Sequence, residues 1–268
     1  MSDKRRIRVE RDGAVLSIIL DRPEKRNALD AEMLAALDAA VEEADADESA
    51  RVIVMRATGD HFCAGFDLGT VDANELVEDR FRRERAALFD RGLRIRAIDK
   101  PTIASVQGAC VAAGLLLSQM CDLVVADREA FFYDPLPRMG GVGLELLIQP
   151  WDIGVRRAKR VLFTADRIPA EQALKLGMIT DLAQPGELEQ TTDELARRIA
   201  EMPPVTLSLL KRSLNRTQDI MGMRDALEQH FALHEFGHAT RESRELLHLA
   251  REGRPLKEYF ERRDTGDL

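Results

Sequence analysis

The chain has 268 residues, of which 45% are hydrophobic and 32% are charged, and its formal net charge is −8. This composition favours a folded protein with a sizeable core and excludes an intrinsically disordered chain. The acidic balance, 47 acidic against 39 basic side chains, argues against a general nucleic-acid-binding protein.

The N-terminus and the cysteines indicate the compartment. No apolar run follows the basic N-terminal residues, and no segment has the length of apolar residues that a bilayer requires, so we expect neither a secretory signal nor a membrane partner. Cys63, Cys110 and Cys121 are an odd number and lack metal-ligand spacing. We therefore expect reduced thiols in a cytoplasmic protein.

The first half of the chain alternates short apolar runs with helical patterns. Apolar, β-branched runs at 14–20, 51–57 and 102–106 predict strands. Asp30 can cap a helix after the first of them, and residues 74–98 have helical periodicity. This order predicts an α/β architecture with largely parallel strands.

The second half of the chain has a more helical pattern than the first. A buried helix is predicted near 113–122, with a further strand at 122–126, and helical periodicity dominates from about residue 154. We therefore predict two regions, an α/β core at 1–195 and a helical C-terminal region at 196–268.

Two turns carry small residues where a strand ends. The first is HFCAGFDL at 61–68, and the second is QGACVAAGLLL at 107–117, which leads into the apolar helix. Small side chains let a ligand approach the backbone, and a helix N-terminus offers unpaired N–H groups and a positive dipole end. Two such donors aimed at one point would form an oxyanion hole.

Four blocks in this order resemble the crotonase, or enoyl-CoA hydratase/isomerase, superfamily. They are SIILDRPEKRNAL, FCAGFDL, QGACVAAGLLLSQMCDLVVA and LFTADRIPAEQALKLGMI. The resemblance implies a crotonase fold, a spiral of ββα units with a helical C-terminal trimerisation region. It also implies an acyl-CoA ligand, with coenzyme A present as part of the substrate and no permanently bound cofactor, and a homotrimer or a dimer of trimers. The apolar residues of the C-terminal region that we expect at its interface include Leu227, Phe231, Leu233 and Phe236.

By position, the resemblance assigns the oxyanion-hole donors to the backbone N–H groups of Ala64 and Ala113. Ala112, Ala113 and Gly114 stand where the family normally has three glycines. We expect such a donor to survive a glycine-to-alanine change where φ is negative.

The usual catalytic glutamates of the family do not match this sequence. Their positions correspond to Leu116 and Leu136, and leucine cannot transfer a proton. Glu145 and Asp134 are the candidate replacements, and Tyr133 is a further proton donor to consider. For Asp134 a turn-forming role competes with the catalytic one.

The resemblance also suggests contacts to coenzyme A. The predicted set is Lys25, Arg26, Ala64, Asp67 and, from a neighbouring subunit, Lys257 and Phe260. For Asp67, fixing the loop is the competing role.

Other conspicuous side chains have structural interpretations. His230, His234 and His238 recur every four residues on a predicted helix, a spacing that permits metal binding. We favour an interface or a solvated stripe and expect no metal. Cys63 is interpreted as a small packing residue and His61 as exposed.

Three functions remain open. The first is a CoA-thioester hydratase, lyase or isomerase with relocated acid/base groups. The second is a decarboxylase or C–C hydrolase that stabilises a thioester enolate. The third is a non-catalytic acyl-CoA-binding protein. All three would use the same oxyanion hole.

Overall fold

The computed structural model describes residues 6–67 and 75–251, which contain nine strands in two sheets. The strands are β1 Ile7–Asp12, β2 Val15–Leu20, β3 Val52–Ala57, β4 Thr102–Val106, β5 Ala109–Val111, β6 Leu123–Asp127, β7 Phe131–Tyr133, β8 Ile168–Pro169 and β9 Asp181–Ala183. The large sheet has the order β1-β2-β3-β4-β6-β9, and the small sheet has the order β5-β7-β8.

Most strand pairs are parallel, as the alternation of strands and helices predicts. In the large sheet only β1 and β2 run antiparallel, and in the small sheet β7 and β8 do so. The parallel pairing of β3 with β4 and of β4 with β6 brings the carboxyl ends of these strands to one edge. Both small-residue turns of the sequence follow strands at this edge, after β3 and after β4.

The helices in the described part of the chain cover the sheets and form the C-terminal region. They are α1 Ala31–Ala46, α2 Val77–Glu84, α3 Asp90–Ala97, α4 Ala113–Met120, α5 Gln149–Asp152, α6 Val155–Thr164, α7 Ala170–Leu176, α8 Leu188–Ala200, α9 Pro204–Ile220, α10 Met223–Ala239 and α11 Arg241–Arg251. No helix among the described residues has the length and apolar content to cross a bilayer.

Helix α1 begins as its sequence predicts. The Asp30 carboxylate accepts a hydrogen bond from the Met33 backbone N–H at 2.9 Å, which satisfies one of the free donors of the first turn. The apolar face that includes Leu34, Leu37 and Val41 is buried against the sheet.

Helices α2 and α3 are joined by one π-helical turn, Arg85–Phe89. The predicted helical segment at 74–98 is therefore one helical element with an inserted turn. Such π-helical turns are rare and occur frequently at functional sites. Glu84 is the last residue of α2, immediately before this turn.

The second face of the large sheet is covered by α8. Ala196 of α8 belongs to an apolar cluster with Val52, Val54 and Ile103. The predicted boundary between 195 and 196 falls inside this helix, so the helical C-terminal region begins after residue 200.

Candidate active site

A cavity of about 180 Å³ lies between the two small-residue turns, the loop after β7 and the C-terminal helices. One part of its wall is apolar, and the other part carries charged and imidazole groups. The apolar part includes Ala64, Phe66, Ala112, Ala113, Leu136, Met139 and Leu144, and the polar part includes Arg80, Glu84, Glu145 and His238. The cavity therefore combines an apolar acyl-sized space with titratable groups.

The two turns that border the cavity touch each other. A Cβ atom on Gly114 would lie 2.6 Å from the Cβ of Cys63, so only glycine fits there. A Cβ on Gly65 would lie 2.9 Å from the Cβ of Ala112 and 3.8 Å from the backbone nitrogen of Ala113. The small residues of both sequence motifs are therefore needed for this close backbone contact.

The backbone donors of the first turn differ from the prediction. The Ala64 N–H donates to the Arg26 carbonyl at 3.0 Å, so it is not available to a ligand, and this corrects the assignment of Ala64. Leu29 N–H donates to the Gly65 carbonyl, and Asp67 N–H donates to the Leu29 carbonyl. Between these two bonds, the Phe66 N–H has no acceptor in the described part of the chain.

The second turn presents a donor where the sequence predicts one. Ala112 N–H donates to the Tyr133 carbonyl at 3.0 Å. Ala113 is the first residue of α4, and its N–H has no acceptor among residues 6–67 and 75–251. The cavity wall thus contains two residues with free backbone donors, Phe66 and Ala113.

Ala112 has an unusual backbone conformation. Its φ is 49° and its ψ is −118°, a region that glycine adopts readily and alanine rarely does. The condition of a negative φ, under which the donor survives the loss of glycine, is not met at Ala112. The helical Ala113, not Ala112, carries the free N–H.

The two leucines that the resemblance places at the usual glutamate positions have apolar surroundings. Leu116 is fully buried within α4. Leu136 begins a short 3-10 turn and lines the cavity. Neither can exchange a proton with a ligand.

Asp134 has a structural role in the loop after β7. Its carboxylate accepts hydrogen bonds from the backbone N–H groups of Leu136, at 3.0 Å, and Leu144, at 3.2 Å. Burial raises its pKa to about 6, although both N–H donors favour the charged form. Asp134 is not part of the cavity wall, so the structure favours the turn-forming role over the catalytic one.

Glu145 lies on the cavity wall and is buried. Burial raises its pKa to about 7; nearby His234 acts in the opposite direction, and Glu84 adds to the increase. Its Oε1 lies 3.8 Å from His234 Nε2. Of the two predicted carboxylates, Glu145 is thus the one placed to exchange a proton with a cavity ligand near neutral pH.

The histidine stripe on α10 faces inward and not toward solvent. His230 Nε2 contacts the Leu144 carbonyl at 2.8 Å, and His234 Nδ1 contacts the Gly143 carbonyl at 2.8 Å. His234 Nε2 also lies 3.2 Å from Glu84 Oε2. The spacing of the histidines was visible in the sequence, whereas Glu84, 150 residues away, had no local signal.

The other residues predicted to contact coenzyme A do not all lie in the described part of the chain. Lys25 and Arg26 are exposed on the turn whose Arg26 carbonyl accepts the Ala64 N–H, and their contact with coenzyme A stays a prediction. Asp67 forms an ion pair with Arg22 at 2.9 Å, which is the loop-fixing role. Lys257 and Phe260 lie outside the described residues.

Three other side chains have structural roles. His61 Nδ1 accepts a hydrogen bond from the Ala109 N–H at 3.2 Å and is only partly exposed. Cys63 is buried, and burial raises the pKa of its thiol to about 12, which disfavours a nucleophilic thiolate. The Tyr133 ring lies under the Arg167 guanidinium and is not part of the cavity wall.

Residues 10–265 match the enoyl-CoA hydratase/isomerase family. A putative enoyl-CoA hydratase of Mycobacterium tuberculosis, EchA13, is 40% identical over 85% of this chain and 78% of its own length. A short-chain-enoyl-CoA hydratase of Clostridium acetobutylicum is 30% identical over 78% of this chain and 80% of its own.

Solved structures show the same architecture. A probable enoyl-CoA hydratase from Mycobacterium thermoresistibile has a TM-score of 0.84 and 38% identity, covering 87% of this chain and 97% of its own. An enoyl-CoA hydratase/isomerase from Xanthobacter autotrophicus has a TM-score of 0.86 and 32% identity, covering 97% of both chains. The predicted crotonase fold is confirmed.

Proposed function

The chain belongs to the enoyl-CoA hydratase/isomerase family, and from this premise we propose that it binds an acyl-CoA thioester through the backbone N–H groups of Phe66 and Ala113. Coenzyme A enters as part of the substrate. The observation that carries the proposal is the presence of two free backbone donors on the wall of one largely apolar cavity.

The two donors would act on the thioester oxygen. When the carbon next to the thioester carbonyl loses a proton, an enolate forms, and its negative charge lies mainly on the thioester oxygen. Preorganised N–H donors stabilise this charge more than the neutral carbonyl. Ala113 adds the positive end of the α4 dipole.

Glu145 is our choice for the proton carrier. A carboxyl group with a pKa near neutrality can both accept and return a proton. One such group is sufficient for a double-bond shift, since it can take a proton from one carbon and deliver it to another. Hydration requires water activation as well as carbon protonation, and leucines stand at the two positions that the family uses for these steps. We therefore favour isomerisation of an enoyl-CoA.

A second candidate function is acyl-CoA binding without chemistry. Leu116 and Leu136 favour it, because the hole would then bind a ground-state carbonyl with no conventional acid or base nearby. Turnover assays with any acyl-CoA that binds distinguish the two functions. Product formation that depends on Glu145 supports the enzyme, and tight binding without any turnover supports the binding protein.

The experiment on the hole uses Ala113→Pro. Proline removes the N–H and is well tolerated at the first position of a helix. The matched control is Val155→Pro, at the first position of α6 and outside the cavity wall. We expect the stabilisation of the folded protein by crotonyl-CoA to be strongly reduced in Ala113→Pro and kept in Val155→Pro. An unchanged stabilisation in a folded Ala113→Pro variant would contradict the proposal.

The C-terminal helices also support the homotrimer or dimer of trimers that we propose for the assembly. Helix α9 exposes a row of large apolar side chains, which are Val205, Leu209, Leu210, Leu214 and Ile220. Of the α10 residues expected at an interface, Leu233 and Phe236 are exposed. Leu227 and Phe231 are instead buried in the core of the chain itself, which corrects their assignment.

A further inference from the structure

A buried cluster at the polar end of the cavity has no role in the oxyanion hole. It consists of Glu84 at the end of α2 and of His234 and His238 on α10. Glu84 and His238 are part of the cavity wall, and His234 is fully buried behind them. We propose that Glu84, His234 and His238 bind a divalent transition-metal ion of the zinc class.

The distances between the three candidate ligand atoms fit one small ion. His234 Nε2 lies 3.1 Å from His238 Nε2 and 3.2 Å from Glu84 Oε2, and His238 Nε2 lies 3.9 Å from the same oxygen. Tetrahedral zinc with bonds of about 2.0–2.1 Å places neighbouring ligand atoms about 3.3 Å apart. The cluster therefore requires only small side-chain shifts to coordinate the ion.

The orientation of His234 is that of a metal ligand. Its Nδ1 contacts the Gly143 carbonyl at 2.8 Å, and a carbonyl can only accept, so this nitrogen carries a proton. Nε2 faces Glu84 Oε2 at 3.2 Å, and a metal ion would take the place of the proton that the imidazolium donates there. A backbone carbonyl that fixes the ring in this way is typical of histidine ligands.

A hydrogen bond also fixes the orientation of the Glu84 carboxylate. Its Oε1 accepts a hydrogen bond from Arg83 at 3.1 Å, and its Oε2 lies toward the histidines. The two oxygens thus have separate partners. A proton on one imidazole can form a hydrogen bond between only two of the three ligand atoms. A cation at the centre of the cluster would bond to all three.

The buried carboxyl groups around the cluster also favour a bound cation. Glu84, Glu145 and Glu235 are all buried in this region. Arg83 is engaged in two hydrogen bonds with Glu75, at 2.9 and 2.7 Å, and neither carboxylate oxygen of Glu235 has a hydrogen-bond partner among the described residues. Buried carboxylates without a compensating charge are costly. Arg80 and a protonated His234 can supply part of that charge, and a divalent ion would supply more of it.

The position of the ion would extend the proposed substrate site. Three protein ligands leave a fourth tetrahedral position, and because Glu84 and His238 lie on the cavity wall, an oxygen of a cavity ligand can reach it. An acyl group with a second oxygen function, beyond its thioester carbonyl, has the chemistry to fill this position. Glu145 lies outside the set of three candidate ligands, and its Oε1 lies 3.8 Å from His234 Nε2.

The test uses the untagged full chain after treatment with a chelator, and the probes are Zn²⁺ and Co²⁺ alone, without acyl-CoA. We expect one equivalent of Zn²⁺ to bind by calorimetry and Co²⁺ to give the visible absorption of a tetrahedral site. Glu84→Gln and His238→Gln should each weaken Zn²⁺ binding by about 100-fold or more. His230→Gln is the matched control, because His230 lies on the same stripe, hydrogen-bonds to the Leu144 carbonyl and is outside the set of candidate ligands. This variant should bind Zn²⁺ as the parent does.

X-ray absorption of the Zn²⁺-loaded parent protein gives a result that does not depend on variant folding. Two imidazole ligands and oxygen in the first coordination sphere support the site. Absence of stoichiometric binding, a first sphere without two imidazoles, or equal Zn²⁺ affinity in the parent and His238→Gln would overturn it. Because no acyl-CoA is used, these outcomes are independent of the oxyanion-hole proposal.

Discussion

Ala112→Gly tests the strained backbone beside the proposed oxyanion hole. Ala112 has a φ of 49° and a ψ of −118°, a conformation that costs a non-glycine residue about 1–3 kcal/mol. Glycine removes this cost but adds about 0.5–1 kcal/mol of chain entropy on folding. The methyl group is only partly buried, so its loss costs less than about 0.8 kcal/mol. We expect a net stabilisation of about 1 kcal/mol.

The assay is urea and thermal unfolding at equal protein concentration, since the midpoint of an oligomer depends on concentration. A gain of about 1 kcal/mol corresponds to a rise in Tm of roughly 2–4 °C for a chain of this size class. Ala39→Gly is the matched control. Ala39 is exposed within α1, where the same change should destabilise the protein by about 1 kcal/mol. Equal destabilisation by both changes would refute the strain at Ala112.

Further predictions concern chemistry, electrostatics and assembly. Glu145→Gln should lower kcat for enoyl-CoA isomerisation by about 10²–10⁴-fold with little change in acyl-CoA binding, and equal loss of both would contradict a proton-transfer role. Burial raises the pKa of Asp152 to about 7 in the folded state, so the folded protein holds this proton more tightly than the unfolded chain and loses stability as pH rises from about 4 to 7. Asp152→Asn should therefore raise the free energy of unfolding by on the order of 2–4 kcal/mol above pH 7, and much less near pH 4, in urea titrations; a gain independent of pH would contradict this cause. Leu209→Glu on the exposed face of α9 should shift the assembly toward monomers in sedimentation experiments, and an unchanged assembly would show that this face is not an interface.

The strands β2, β3, β4 and β6 and the first helix cap could be predicted because their signals are local. The run at 102–106 coincides with β4, and Asp30 caps α1 through the Met33 N–H. The strand β1 was not predicted, since its sequence IRVERD is largely charged and exposed at the sheet edge. Its pairing with β2 depends on a neighbour that a single segment does not reveal.

The site was predicted less completely than the fold. The two turns were identified, but the free donor of the first turn is on Phe66, because Ala64 is bonded to a carbonyl from the separate segment around Arg26. Likewise, Glu84 meets His234 only through the packing of α2 against α10. Hydrogen-bond partners across such distances follow from the tertiary structure and not from local sequence.

The central claim is that the Phe66 and Ala113 N–H groups bind the thioester oxygen. An isotope-edited infrared spectrum of bound crotonyl-CoA measures this most directly, because hydrogen bonds to the carbonyl weaken its C=O bond. We predict a carbonyl band at lower frequency than in water for the parent protein and Val155→Pro, with the shift reduced in Ala113→Pro. A carbonyl band at the same frequency in the parent protein and in Ala113→Pro would contradict the claim.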